Sequence, residues 1–486
     1  VGARALEDIL LLLPTRRAVR EISSIFLACA EQQGRDALLL PNISTLGDIT
    51  ENGYEAALLG ELNADALDVA PQIAPQERHF QMMNMILHWA NETGHQLDTR
   101  RVSALARELE TLLDNAQNEQ VDLGGLSDLV PDELADNWQQ TLEHLSIITQ
   151  SWPLYLEGQQ RLDPTERRNR LMSHLADKWR IDPPKEAVIA AGSTGSIRAT
   201  AELLQVIAHL PHGGVVLPGL DRHMSQPLRD ALRDDAAHPQ AALAHFLHQL
   251  DVSAPDVAAW PGSQPAPART RHIMMALNPV PLTAAWVDVR ADAQDAGETS
   301  ATNAMHTDML GMDLLEAPDP RAEAGAIALA MREVLETPDK TAALVTPDRR
   351  LARRVAVELR RWNIHVDDSA GRALANTPLA QLMRLVNDMI AQNFAPVPLL
   401  AVLKHPLVSI GRHRGDLLKD IRWLEQQHLR GPRAVGGLSG LRDVLDAASD
   451  ARALALLTQV EQAAAPLTHL PNPADLAARL DALEAT

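Results

Sequence analysis

The most regular pattern of hydrophobic and polar positions lies between Ala342 and Thr377. It opens with a short apolar run, Ala342–Val345, which predicts a strand. The run ends at Thr346-Pro347-Asp348, a triplet typical of a helix start, with Thr346 as the candidate N-cap. After the helix, Ile364–Val366 predicts a second strand. A strand–helix–strand crossover of this kind is the building block of a parallel α/β sheet.

The helix between these two predicted strands has two contrasting faces. Its apolar positions recur at i, i+4, i+8 and i+11 and therefore form one stripe: Leu351, Val355, Leu359 and Trp362. The opposite side is basic and carries Arg349, Arg350, Arg353, Arg354, Arg360 and Arg361. A single basic face of this kind is more often a solvated helix surface than a binding surface.

The same arrangement occurs near the start of the chain. Asp8–Leu13 predicts a buried strand, Pro14-Thr15-Arg16-Arg17 starts a helix, and Ala37–Leu40 predicts the next strand. Arg16, Arg17 and Arg20 lie opposite the apolar face of that helix. Ligands of α/β proteins bind at the carboxyl ends of strands. Because two basic helix starts occur in that position, a binding surface and a solvated helix surface are equally good interpretations.

The pattern between and beyond these units sets the predicted domain boundaries. Helix-period stripes fill residues 75 to about 180, which predicts a helical module that interrupts the first α/β domain. Strand character returns at Ala187–Ala191 and Val215–Leu217, and residues 291–313 are polar and typical of a linker. A further strand is predicted at Leu314-Leu315-Glu316. The second α/β domain begins there, and the residues beyond 410 are mainly helical.

The loop Gly192-Ser193-Thr194-Gly195-Ser196 joins a strand to a helix. Backbone N–H groups at such a turn can hold a phosphate, with Ser193 and Thr194 as candidate contacts. Glycine-rich turns are also common for steric reasons alone, and that interpretation is the more frequent one.

Composition and charge narrow the function classes. The chain has 486 residues, a net charge of −20 and one cysteine, Cys29. A single cysteine excludes disulfide scaffolds and cysteine-based metal clusters within this chain, and a reducing cytoplasm is the expected compartment. No apolar run approaches 18 residues, so no membrane partner is expected. Because the overall charge is acidic, any nucleic-acid contact must come from local arginine patches.

The chemistry-bearing motifs are mostly missing. A nucleotide-binding P-loop needs Gly-Lys-Ser/Thr, and none of the five lysines follows a glycine. His245, His248 and Asp251 have a helical spacing but no third strong ligand in reach, so a zinc site is improbable. Asp367-Asp368 fits a solvated turn better than a metal site. We therefore predict no catalytic residue, no metal site and no cofactor within this chain.

Several blocks together carry a family resemblance: LLLPTRRAVREI with DALLLPNISTLGDI, AAGSTGSIRATAELLQVIAHLPHGGVVLPGLD, AALVTPDRRLARRVAVELRRWNIHVDDSAGRALANTP, LLAVLKHPLVSIG and LRGPRAVGGLSGL. In content and order they resemble the AddB family of bacterial double-strand-break repair proteins. The resemblance spans the chain from Leu10 to about Leu441. Any one block alone is weak.

The resemblance implies an α/β fold with two RecA-like parallel-sheet domains, of the superfamily-one helicase type, each with a helical insertion. Residues 1–54 and 181–290 would form domain one around an insertion at 55–180. Residues 291–313 would be a linker, 314–410 the first part of domain two and 411–486 the start of its insertion.

The resemblance also implies a function, partners and contact residues. AddB proteins work with an AddA helicase–nuclease subunit to resect broken DNA for homologous recombination. The implied contacts to single- or double-stranded DNA are Thr15, Arg16, Arg17, Arg20, Ser193, Thr194, Arg349, Arg350 and Arg353. The Mg²⁺, the iron–sulfur cluster and possibly the ATP of the family would belong to parts upstream of Val1 or downstream of Thr486.

Two other functions remain open at this point. The chain could belong to an ATP-hydrolysing helicase whose P-loop lies upstream of Val1, which leaves its status as an enzyme undecided. It could also be a protein-interaction scaffold whose arginine faces hold the partner subunit without direct DNA contact.

Overall fold

The computed structural model describes residues 6–35, 37–46, 69–128, 135–233, 235–261, 267–284, 311–432, 434–446, 449–470 and 476–485. These residues form two compact units, Val1–Leu315 and Glu316–Thr486. The protein is an α/β protein in which helices greatly outnumber strands.

The first unit is built on a four-stranded parallel sheet. Its strands are β1 (Ile9–Leu13), β2 (Asn42–Thr45), β3 (Ala187–Ala191) and β4 (Gly213–Val216), and their spatial order is β2-β1-β3-β4. Leu10 pairs with Asn42 on one side and with Val188 on the other. The predicted strands at Asp8–Leu13 and Ala187–Ala191 are confirmed. The strand predicted at Ala37–Leu40 is wrong, because the paired residues begin at Asn42.

Helices cover the two faces of this sheet unequally. Helix α1 (Arg16–Gln32) follows β1, and α7 (Arg198–His209) follows β3. Even-numbered sheet positions such as Leu12 and Val188 have no exposed surface and join the main core with α7 and α6 (Pro164–Ile181). Odd-numbered positions such as Leu11 and Ile189 are only half-buried, on the face that α1 partly covers.

The described residues between β2 and β3 are helical apart from an isolated bridge from Gln72 to Leu162. Their helices are α2 (Pro75–Glu92), α3 (Thr99–Glu119), α4 (Ala135–Ser146), α5 (Trp152–Gly158) and α6. The helices before α6 enclose a separate core that includes Met82, Val102, Leu109 and Trp152, whereas α6 packs in the main core.

A buried polar network joins the helices of this module. Asp163 is fully buried and pairs with Arg78, whose Nε lies 2.9 Å from its Oδ2. Arg78 also binds Asp114 at 3.0 Å, and the Trp152 indole donates to Asp163 at 3.2 Å. The charges are buried but paired, which is the condition under which a core tolerates them.

The rest of the first unit contains α8 (Gln226–Ala231), α9 (Ala241–Gln249) and α10 (Pro267–Ala276). The second unit begins with α11 (Pro320–Val334) and α12 (Arg349–Arg360), which pack around Ala324, Ala328, Val355 and Leu359. Its larger core is built by α13 (Pro378–Ala391), α14 (Pro396–Leu403), α15 (Arg414–Leu424), α16 (Leu438–Asp443) and α17 (Ala451–Thr468), and α18 (Leu476–Ala485) packs against α17.

The strands predicted for the second α/β domain do not form a hydrogen-bonded sheet in the described residues. Leu314–Glu316, Ala342–Val345 and Ile364–Val366 are not part of any strand in the described residues, so these three strand predictions are wrong. In the middle segment, Ala342 and Leu344 are half-buried, while Ala343 and Val345 are exposed. A central parallel strand is buried on both faces, and this segment is covered on one face only. The α/β fold is thus shown, and within the described residues it contains the parallel sheet of the first unit.

Candidate functional site

The four parallel strands place their carboxyl ends at one edge of the sheet. From β1 the chain passes through α1 to β2, which lies on one side of β1 in the sheet. From β3 it passes through α7 to β4, which lies in the opposite direction. Helix α1 lies on one face and α7 on the other, so the order of the strands reverses between β1 and β3. Ligands of open α/β sheets bind outside the carboxyl ends at this reversal point.

The loop after β1 carries the first group of predicted contact residues. The Thr15 side chain caps α1 and accepts a hydrogen bond from the backbone of Ala18 at 3.1 Å. Arg16, Arg17 and Arg20 follow in the first turns of α1, and all three are exposed. The cap fixes where the helix begins and therefore places these arginines beside the end of β1.

The loop after β3 lies directly against the first loop. A Cβ built on Gly192 would be 3.4 Å from Cδ of Pro14. Gly192 has a φ of 84°, a conformation that favours glycine, so the turn depends on this residue. The structure therefore brings the loop of Thr15, Arg16 and Arg17 beside the loop of Ser193 and Thr194.

The second loop leads into α7 without a side-chain cap. Ile197 occupies the N-cap position, where it offers no hydrogen-bond acceptor. The Ser193 hydroxyl instead accepts from the backbone N–H of Gly195 at 3.3 Å. Ser193 and Thr194 are half-buried at the reversal point.

In the second unit, the basic helix begins differently from the prediction. The N-cap of α12 is Asp348, whose carboxylate accepts from the backbone of Arg350 at 2.7 Å. Thr346, the predicted cap, instead accepts from the backbone of Asp348 at 3.0 Å. Thr346 is wrong as the cap because Pro347 and Asp348 complete a turn before the first helical residue, Arg349.

Arg349 is occupied by contacts within its own unit. Its guanidinium donates to Asp368, with Nη1 at 3.0 Å from Oδ1, and to the carbonyl oxygen of Gly371 at 3.1 Å. The hydrogen bond from Arg349 holds the pKa of Asp368 below its usual range. Asp368 also accepts from the backbone of Ala370, which fits the predicted turn. Arg350 and Arg353 are exposed.

Other candidate sites are weaker. His245 and His248 are exposed and line a cavity of about 270 Å³ with Asp251. Within the described residues, no group of three or more His, Cys, Asp or Glu side chains could hold a metal ion. None of the helices that the structure describes is long and apolar enough to cross a membrane.

Two features were not anticipated. His79 contacts Glu110 through Nδ1 at 3.1 Å and Ser103 through Nε2 at 3.0 Å, which links α2 to α3. An apolar groove of about 550 Å³ lies between α1 and the open sheet face, lined by residues that include Ile22, Phe26, Cys29 and Ile189. The apolar face of α1 is the part of the sequence that indicates the groove. That face alone does not predict a groove, because the groove exists only where α1 leaves part of the sheet uncovered.

Comparison of the sequence with models of known protein families and with curated proteins finds no match.

Proposed function

We propose that this chain is a helicase-like, DNA-binding subunit of a helicase–nuclease complex that resects double-strand breaks for recombinational repair. The observation that carries the proposal is the meeting of two loops at the reversal point of the sheet. One loop brings Thr15, Arg16 and Arg17, and the other brings Ser193 and Thr194.

The chemistry of this edge suits a phosphate backbone. Exposed guanidinium groups neutralise phosphates, and hydroxyl groups in the second loop can donate to phosphate oxygens. Most contacts from arginine, serine and threonine to DNA go to phosphate and sugar oxygens, and such contacts position a strand without reading its sequence. Binding is therefore expected to be independent of base sequence.

The resemblance to the AddB family supports the wider assignment. It supplies the reaction context, the AddA-like partner subunit and a cytoplasmic location. It also predicts two RecA-like domains, and the described residues contain one parallel sheet. The chain's own residues supply the DNA contact. No catalytic step is assigned to them.

The test uses a fluorescently labelled oligonucleotide and the double variant Arg16→Ala/Arg17→Ala. Affinity should fall similarly for unrelated sequences, and the salt dependence should become shallower by about 0.7 in log–log slope per lost contact on single-stranded DNA. Thermal melting of the variant separates this effect from any loss of folding. If the variant keeps the wild-type salt slope but no longer associates with an AddA-like subunit, the scaffold function replaces the DNA-binding one.

A further inference from the structure

The solvent face of α12 is a continuous basic surface that extends along the helix. At 100° per residue, the helix turns Val355 and Leu359 into the core with α11. Val357 is then at the centre of the opposite face and is 55% exposed. Around it and along its flank lie Arg350, Arg353, Arg354 and Arg360, here called the α12 arginine stripe.

The arginines of this helix divide into two groups by their contacts. Arg349 binds Asp368 and Gly371, and Arg361 binds Glu358 at 2.8 Å and lies over the ring of Trp362. Among the residues that the structure describes, the side chains of the α12 arginine stripe have no such ion pair. The one carboxylate within α12, Glu358, is taken by Arg361.

We infer that the α12 arginine stripe is a second nucleic-acid contact surface, which binds successive phosphates of a strand laid along the helix. The inference rests on the proposed function in one respect, because it takes the bound polyanion to be DNA. Arg349 has a different role: it ties the start of α12 to the loop at Asp368.

The composition of the surface favours nucleic acid over a protein partner. The core of a protein interface is depleted in charge and enriched in aromatic side chains. The α12 arginine stripe has four like charges, one valine and no aromatic group. Trp362 is half-buried, and the guanidinium groups of Arg332 and Arg361 both lie over its ring. Arg350 and Arg360 are ten residues apart, about 15 Å along the axis, which is long enough to reach more than one phosphate.

The experiment compares variants of the 486-residue chain in binding to a labelled oligo(dT) over a range of salt concentrations. The test variant is Arg353→Gln/Arg354→Gln/Arg360→Gln. Its charge-matched control is Arg100→Gln/Arg101→Gln/Arg107→Gln, three exposed arginines of α3 whose helix also carries Glu108, Glu110 and Asp114. The third variant is Arg349→Gln.

The test variant should have a salt slope shallower by about 2, which corresponds to a roughly 100-fold weaker affinity at 0.1 M salt if all three arginines bind phosphates. The α3 control and Arg349→Gln should keep the wild-type slope. Replacing the same three residues of α12 with lysine should restore the slope, because lysine keeps the charge.

Several outcomes would overturn the inference. An unchanged slope in the test variant, with a shallower slope in Arg16→Ala/Arg17→Ala, would remove the α12 contact and leave the proposed function standing. An equal change in the α3 control would mean that only overall charge matters. Absence of any oligonucleotide binding by the wild-type chain would contradict both proposals, and loss of subunit association with an unchanged slope would assign the stripe to a protein partner.

Discussion

Asp163 links several helices of the first unit through its side chain. It is fully buried, and it contacts Arg78, Trp152 and the backbone of Thr165. Burial raises its pKa above the ordinary value, and the guanidinium of Arg78 opposes that shift. Its partners come from two helices, α2 and α5, and from the start of α6, so its loss affects the packing of the helical module.

Asp163→Ala should lower the free energy of unfolding by about 3–5 kcal/mol, because it leaves the buried Arg78 and Trp152 donors without that acceptor. Asp163→Asn keeps an acceptor for the indole, and Asp114 remains as a charged partner of Arg78, so its cost should be clearly smaller. Denaturant unfolding followed by circular dichroism measures both. Equal losses for the two variants would mean that the carboxylate charge, rather than the hydrogen bonds, dominates.

The Arg349–Asp368 pair makes a prediction about pH. The folded pKa of Asp368 is lowered, first by the hydrogen bond from Arg349. The pair therefore contributes stability above the ordinary aspartate pKa and loses it as the pH falls through the lower, folded value. In an NMR titration of labelled aspartate carboxyl groups, Asp368 should titrate below the usual range, and Arg349→Gln should return it toward that range. An unshifted Asp368 in the wild type would show that the pair does not persist in solution.

At the scale of an element, the contact between α7 and β4 depends on a glycine. A Cβ on Gly213 would lie 1.8 Å from the carbonyl oxygen of Ile207 and 2.9 Å from Cβ of Leu210. The neighbouring Gly214 has nothing within 4 Å of the same position. Gly214 is therefore a matched control for a substitution at Gly213.

Gly213→Ala should destabilise the first unit by at least about 1–3 kcal/mol, because backbone atoms must shift to admit the methyl group. Gly214→Ala should change stability little. Thermal melting of both variants checks this, and similar melting temperatures would show that the end of α7 can move aside at no cost.

The same scale explains what the sequence did and did not predict. Strands β1 and β3 were predictable because Leu10, Leu12 and Val188 lie in continuous apolar runs that enter the core. Strand β2 was missed because it is an edge strand of sequence NIST with only Thr45 buried, while the more apolar Ala37–Leu40 precedes Pro41. An apolar run indicates that a segment is buried. An edge strand is held by backbone hydrogen bonds, which the pattern of apolar residues does not predict.

The sequence predicted which loops form the candidate site, but not which of its side chains pair with one another. The carboxyl ends of parallel strands lie at the same edge of a sheet. Once β1 and β3 are predicted as strands of one sheet, Thr15 and Ser193 are therefore expected at the same edge. The pairing of Arg349 could not be predicted, because Asp368 is nineteen residues away and its position depends on a turn. The sequence identified the basic face of α12 but could not separate the arginine that holds the fold from those that face solvent.

At the scale of the whole molecule, the two units have separate cores. The second unit buries Leu399, Leu417, Ile421 and Leu456 among its own helices. A chain of residues 316–486 should therefore fold alone, with a helical circular dichroism spectrum and a cooperative melt. A non-cooperative melt of this fragment would show that its core needs residues from the first unit.

Cys29 is exposed and lies on α1, thirteen residues after Arg16. It is the only thiol in the sequence, so maleimide chemistry attaches one dye per chain without any substitution. The helix rise places that dye about 20 Å along the axis from the arginines beside the sheet edge. A dye on the native cysteine is thus a single fixed reference point on the first unit, from which the distance to a labelled oligonucleotide can be measured to test the proposed DNA contact.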